Sequence, residues 1–304
     1  MLPWVGKSCA GWSIALRLVV IDESADTSEA VPVLIEHDLP LPSWRSHLAD
    51  PCEVIGPTRP ELSILIPVYN ERATVLRVIE KVRAVPFPDT FELVLIDDGS
   101  TDGSRELLRD LPASSNMQVH FHDANSGKGA AIRTALGHAR GRIVVIQDAD
   151  EELDPRDLLP MYEIVSSRRA SVCYGSRFLG KADGFPLRPI YLANRFLNGV
   201  SNLLNGLRLT DMNTCYKMMR VELARRLDIQ SRGFSMEPEI TTKLARMNVE
   251  IVECPVTYRP RARAEGKKIR AMDFVRYLAA MIRYRFSGRL LEAHILPTPA
   301  AQAK

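Results

Sequence analysis

Asp148 and Asp150 stand two residues apart after the run Arg142-Ile-Val-Val-Ile-Gln147, and Glu151 and Glu152 follow at once. Ionised carboxylates held that close repel one another unless a cation lies between them. All-oxygen donors suit a hard divalent ion such as Mg²⁺ or Mn²⁺, which keeps positions open for phosphate oxygens. A solvated turn would carry the same residues, so the cluster is either a metal-binding edge or a polar corner. Three further stretches carry polar groups in short loops: Pro67-Val68-Tyr69-Asn70-Glu71, Asp97-Asp98-Gly99-Ser100-Thr101-Asp102 and Gly127-Lys128-Gly129. Carboxylates there can accept hydrogen bonds from a base edge or a ribose hydroxyl. The alternative is a helix cap at Asn70 and an Asx-type turn at Asp97 and Asp98.

This chemistry needs a frame that delivers all four stretches to one edge. From Glu61 the apolar pattern predicts strands over 62–67, 91–96, 117–121 and from Ile143. Helices are expected between them over 71–84, up to about Leu111, and over 130–139. That alternation predicts an α/β fold, a doubly wound and mostly parallel sheet with helices on both faces. In such a sheet ligands lie beyond the carboxyl ends of the strands, where the acids fall. The second half is less regular and is expected to be a short mixed-strand half. Strands are expected over 171–175 and 249–258, and a loop running into a strand over 211–217. Helices are expected over 155–167, along an apolar face from Ala193 to Leu207, over 238–247 and over 271–286. The expected organisation is an extension over 1–60, a nucleotide-binding half over 61–152, an acceptor half over 153–290 ending in an amphipathic helix, and a disordered tail over 291–304.

The 304 residues have a formal net charge of +3, unevenly spread. Residues 1–60 hold four Lys/Arg against eight Asp/Glu, whereas 255–304 hold eleven against three. A basic carboxyl-terminal segment suits an anionic partner. The five cysteines are scattered with no Cys-x-x-Cys pair, which fits reduced thiols and not a zinc site or a disulfide frame. No apolar run reaches the roughly 20 residues of a membrane span. Gly-x-x-x-x-Gly-Lys-Ser/Thr is absent, and no Gly-x-Gly-x-x-Gly follows the first strand, which argues against an ATPase and a nicotinamide dehydrogenase.

Seven stretches carry a family resemblance, in order, over about 61–285: Ile66-Pro67-Val68-Tyr69-Asn70-Glu71, Asp97 to Asp102, Asn125-Ser126-Gly127-Lys128-Gly129, Asp148-Ala149-Asp150, Gly175-Ser176-Arg177-Phe178, Thr210 to Lys217, and Glu265-Gly266-Lys267-Lys268-Ile269. With these the chain resembles family 2 glycosyltransferases of the GT-A fold, in the branch of dolichol-phosphate mannose synthase and bacterial polyprenyl-phosphate glycosyltransferases. The resemblance implies a metal-dependent, inverting transfer of a hexosyl unit from a UDP- or GDP-linked sugar to polyprenyl phosphate. It implies a Mg²⁺ or Mn²⁺ cofactor held by Asp148, Asp150 and Glu152. Pro67, Tyr69, Asn70, Glu71, Asp97, Asp98, Lys128 and Asp148 would surround the nucleotide sugar. Arg177, Arg263, Lys267 and Lys268 would meet phosphates.

Asp150 is a catalytic candidate through the metal. Asp211 and Glu237 are the candidate general bases if the acceptor is an alcohol, and structural residues otherwise; a lipid phosphate is already an anion and needs no strong base. Mannose synthases typically carry Gln where Glu152 stands, an extra charge that bears on metal binding and leaves the sugar unassigned. The expected setting is the cytoplasm, peripheral on the cytoplasmic face of the membrane, with lipid met through the basic carboxyl-terminal region or a membrane-protein partner and with no nucleic acid bound. Transfer to a soluble or polysaccharide hydroxyl, and a non-catalytic nucleotide-sugar binding module, remain the alternatives.

Overall fold

The computed structural model describes residues 59–180, 188–261 and 271–287, without the side chains of 188–190 and 271–274. The extension over 1–60 apart from its last two residues, the tail over 291–304, and Arg263, Lys267 and Lys268 lie outside the described residues.

Four strands form the parallel half of the sheet: β1 (Leu62–Val68), β2 (Phe91–Asp97), β3 (Met117–Phe121) and β4 (Ile143–Ile146). β1 pairs in parallel with both β2 and β4, and β2 with β3. Ile64, Leu65, Ile66, Leu93, Val94, Leu95, Ile96 and Val145 are fully buried, as continuous apolar runs covered on both faces must be. Helices α1 (Val75–Arg83), α2 (Ser104–Arg109) and α3 (Lys128–His138) make the crossovers. α1 sets Val75, Val78, Ile79 and Val82 into the core at helical spacing. Each such side chain contributes roughly 1.5–3 kcal/mol.

The carboxyl half is mixed, as expected. After the 3₁₀ turn Pro155–Asp157 come α4 (Leu158–Ser166), β5 (Val172–Ser176), α5 (Arg188–Asn205), β6 (Lys217–Arg220), α6 (Val221–Arg226), α7 (Met236–Arg246), β7 (Ile251–Pro255) and α8 (Ala271–Phe286). The seven strands lie in the order β3-β2-β1-β4-β6-β5-β7. β6 runs antiparallel to both β4 and β5, while β5 and β7 are parallel. Helix α6, six residues directly after β6, was not anticipated.

α1 begins four residues later than the pattern suggested, because 69–72 stay in a loop that packs on the β2 exit. Asn70 adopts φ 53° and its Oδ1 accepts from the Thr101 amide at 2.8 Å. Gly99 has φ +73°, and a Cβ there would meet the Asn125 nitrogen at 2.5 Å. Both the backbone region and the close approach therefore require glycine where this turn meets the loop before α3.

α8 differs from the sequence expectation in the face it buries. In the sequence Met272, Val275, Leu278, Ala279 and Ile282 recur at helical spacing and read as the apolar face, yet Tyr277, Ala280, Met281 and Tyr284 are the buried residues while Val275 and Ile282 are more than half exposed. Tyr277 and Met281 join Leu197 and Met212 in a small second core between α8 and α5. Both faces of α8 are apolar enough to bury, and the tertiary partner decides which one does.

Candidate active site

β4 ends at Ile146, and the chain then turns through the acids. Gln147 is held by the Tyr216 hydroxyl, which donates to its Oε1 at 2.7 Å. Asp148 Oδ1 lies 2.9 Å from Lys128 Nζ at the start of α3. Burial opposes the charge on both, but each partner outweighs it, so Lys128 is raised well above the ordinary lysine range and Asp148 lowered below the ordinary carboxylate range. Glu151, at φ 60°, turns outward to Arg77 and Lys81, each at 2.6 Å. Asp150 and Glu152 turn inward. Burial, then the neighbouring charges of Asp148 and Glu152, push Asp150 up to about 7 against the opposing pull of Arg261.

Arg261, just past β7, ties this cluster to the β1 exit. Its Nη2 lies 2.9 Å from Asp150 Oδ2, its Nη1 2.9 Å from Glu71 Oε2, and its Nε 3.8 Å from Glu152 Oε1. Tyr258 donates its hydroxyl to Glu152 Oε2 at 3.3 Å, and the Arg177 guanidinium stands 5.3 Å from the Tyr258 ring centroid. Groups from the ends of β1, β4, β5 and β7 therefore form one connected network.

The β2 exit is built differently. Asp98 accepts from the amides of Ser126 at 2.9 Å and Gly127 at 2.7 Å, and from His122 Nδ1 at 2.7 Å. Asp97, fully buried, accepts from Arg105 Nε at 2.7 Å and weakly from the Ser100 amide. These two Asp residues hold the loops around the site together. Pro67 lies in β1, and Asn70 binds across to the 100–101 turn. Glu71, with its amide on Ser104 Oγ at 2.9 Å, extends its carboxylate to Arg261.

In the carboxyl half, Arg177 binds Asp211 through Nε at 2.7 Å and Nη2 at 2.9 Å, and its amide adds a third bond to the same carboxylate. Asp211 is itself fixed by its amide on Glu253 Oε1 at 2.9 Å. Glu237 faces two ammonium groups, Lys217 on Oε2 and Lys128 at 3.4 Å on Oε1. Both candidate bases thus sit as counter-ions and would have to leave these partners before taking a proton. The sequence reading did not single out Lys217, which is fully buried and also donates to the carbonyls of Met212 and Thr214. Nor did it single out Arg261; the only signal was the basic run from Arg259 to Arg270, whose members look alike in sequence.

Among the described residues no group of three or more His, Cys, Asp or Glu side chains is gathered in metal-binding geometry. The donor chemistry nevertheless suits a hard cation. Asp148, Asp150 and Glu152 offer oxygen alone, and the charge crowding that raises Asp150 is the kind a divalent ion relieves.

Residues 63–228 match the family described as Glycosyl transferase family 2. The chain is 31% identical over 206 residues to glycosyltransferase AglJ of Haloferax volcanii, covering 67% of this chain and 65% of that protein. It is 29% identical over 175 residues to the dodecaprenyl-phosphate galacturonate synthase of Rhizobium johnstonii, covering 56% and 50%. With the polyprenol monophosphomannose synthase of Mycolicibacterium smegmatis it shares 28% over 240 residues, covering 74% and 88%. The chain thus spans less than two thirds of the first two relatives. The fold is also that of glucosyl-3-phosphoglycerate synthase from Mycobacterium tuberculosis in complex with Mg²⁺ and uridine diphosphate, at a TM-score of 0.56 and 19% identity over 74% of this chain and 79% of that one.

Proposed function

Since the chain belongs to glycosyltransferase family 2 and has its GT-A fold, we propose that it transfers a hexosyl unit, with inversion, from a UDP- or GDP-linked sugar to polyprenyl phosphate. The observation that carries the reading is that Asp148, paired with Lys128, and Asp150 and Glu152, paired with Arg261, follow one another at the carboxyl edge of the sheet. Two relatives whose names specify polyprenyl-phosphate products support the acceptor class. The difficult feature of such a displacement is the negative charge that grows on the departing diphosphate. Mg²⁺ or Mn²⁺ held by Asp148, Asp150 and Glu152 would offset that charge. Lys128 keeps Asp148 ionised and oriented. Glu71 and Asn70 shape the nucleoside side, with Asp97 and Asp98 framing it from behind. Arg177, whose Nε and Nη2 are held by Asp211, leaves Nη1 to meet a phosphate oxygen, and Arg263, Lys267 and Lys268 share the basic run 259–270 with Arg261. An anionic acceptor explains why Asp211 and Glu237 can remain counter-ions: no strong base is required.

Contact with lipid is supported by the surface beside this edge. Leu192, Phe196 and Leu203 on α5, and Val275, Ile282 and Phe286 on α8, are all more than half exposed, and the two helices touch. Exposed Arg276, Arg283 and Arg285 accompany them, a composition suited to an anionic membrane surface on the cytoplasmic side. No described helix is long and apolar enough to cross a membrane. The test is product analysis with radiolabelled nucleotide sugars and polyprenyl phosphate. Mild-acid-labile label in the organic phase is expected, and label on water-soluble glycan would move the assignment to a hydroxyl acceptor. No turnover with any nucleotide sugar, together with a silent Asp150→Ala variant, would leave a non-catalytic binding module.

A further inference from the structure

The guanidinium of Arg261 stands where three carboxylates meet. Glu71 comes from the β1 exit and Asp150 and Glu152 from the β4 exit, and Arg261 reaches all three from the far side of β7. Both oxygens of Asp150 are engaged, Oδ1 by the Glu152 amide at 3.1 Å and Oδ2 by Arg261 at 2.9 Å. Both oxygens of Glu152 are engaged too, Oε1 by the Arg261 amide at 3.1 Å and Oε2 by the Tyr258 hydroxyl at 3.3 Å. The Arg259 amide adds a bond to the Glu152 carbonyl at 2.8 Å, so the whole 258–261 segment is fastened to the acid loop. The fit is incomplete in one respect: Arg261 Nε is buried with no hydrogen-bond partner. A guanidinium fully committed to a permanent ion-pair site would satisfy its donors.

We infer that Arg261 is a resident counter-ion which takes turns with the divalent cation at these carboxylates, so that loading the cation releases the 258–261 segment. The inference rests on the metal-dependent reading given above. A Mg²⁺–oxygen bond is roughly 2.1 Å long. An Asp150 oxygen that held the ion while keeping Arg261 at 2.9 Å would bring two cations within about 4–5 Å of each other in a partly buried site, where like charges are poorly screened. Arg261 therefore has to swing away for the ion to bind Asp150 and Glu152 well. Leaving breaks its bonds to Glu71 and Asp150 and frees its fork for another anion, while the Arg259 and Arg261 amides lose their hold on Glu152. In the cation-free state Arg261 offsets the carboxylates' repulsion and keeps the acid loop in shape. The cost is a weakened intrinsic affinity for the ion.

Removing Arg261 should therefore tighten cation binding, the reverse of what loss of a simple diphosphate ligand would do. The experiment titrates full-length wild-type protein, Arg261→Met and Arg261→Lys with Mn²⁺ alone, following free Mn²⁺ by electron paramagnetic resonance, and repeats the titrations with uridine and guanosine diphosphate. Arg261→Met is expected to bind Mn²⁺ alone at least tenfold more tightly than wild type, with Arg261→Lys in between. Hydrogen exchange on wild type should show the Arg259 and Arg261 amides losing protection when Mn²⁺ is added. Equal or weaker Mn²⁺ affinity in a folded Arg261→Met, or unchanged exchange on Mn²⁺ binding, overturns the inference and leaves the metal-dependent reading standing. Absence of Mn²⁺ binding by wild type and both variants, even with the nucleoside diphosphates, overturns the reading and the inference with it.

Discussion

Asp97-Asp98 and the run Asp148 to Glu152 both stand at the carboxyl end of a buried parallel strand, and they are partnered differently. Asp98 is bound largely by backbone amides and a histidine, and Asp97 by Arg105, an arginine of the very next helix, together with an amide. Asp148 meets Lys128, and Asp150 and Glu152, which accept one amide each, also meet Arg261, a cation from a distant segment. An acid tied to amides cannot exchange them without unmaking its loop, because each buried N–H left unpaired costs about 1–3 kcal/mol. An acid tied to a long side chain can trade it for a ligand. Position at the strand end is shared, so it is the partner that separates Asp98 from Asp148 and Asp150.

Substitution should divide the two clusters along that line. Asp150→Ala is expected to lower kcat/KM by about a thousandfold or more, the scale of losing a main electrostatic element of a transition state, while the melting temperature does not fall below wild type. A large melting loss would place Asp150 with the framework. Asp98→Ala should do the reverse, costing about 1–2 kcal/mol of stability through the lost bonds to the Ser126 and Gly127 amides and to His122, or roughly 2–8 °C in melting temperature. A variant that melts like wild type but is inactive would put Asp98 among the chemical groups and break the comparison.

The pH dependence of stability sharpens it. Asp150 is raised from the ordinary carboxylate range to about 7. The folded state therefore holds that proton more tightly than the unfolded chain, so the contribution is fully present below about pH 4 and lost as pH rises through about 7. In chelator, thermal melts of wild type should fall relative to Asp150→Asn between pH 5 and pH 8, and added Mn²⁺ should reverse the fall most strongly at the upper end. Parallel curves for the two proteins would show that Asp150 is not held in this way. The smallest effect is expected at Glu151, whose partners Arg77 and Lys81 lie on the exposed side of α1. Glu151→Gln should leave the melting temperature within error and change turnover by less than about twofold, since exposed ion pairs contribute little. A larger loss in the turnover assay would show that the outward acid also serves the site.

Much of the frame was legible in residue order, because strand and helix periods are properties of near neighbours. The apolar run 143–146, the alternation through β1, α1 and β2, and the placing of acids at strand ends all follow from local spacing, and the parallel half of the sheet follows from their succession. Near-neighbour spacing could not show that the four-residue β6 inserts antiparallel between β4 and β5, nor which face of α8 is buried, since each depends on a partner far along the chain. The same holds for charge. Arg259, Arg261 and Arg263 are interchangeable as letters in a basic run, yet Arg261 reaches Glu71 across 190 positions, and Glu237 lies between Lys128 and Lys217. Local sequence determined which chemical groups gather at the edge of the sheet. Chain closure decided which of them neutralise one another, because ion pairing depends on distance in space and carries no sequence period.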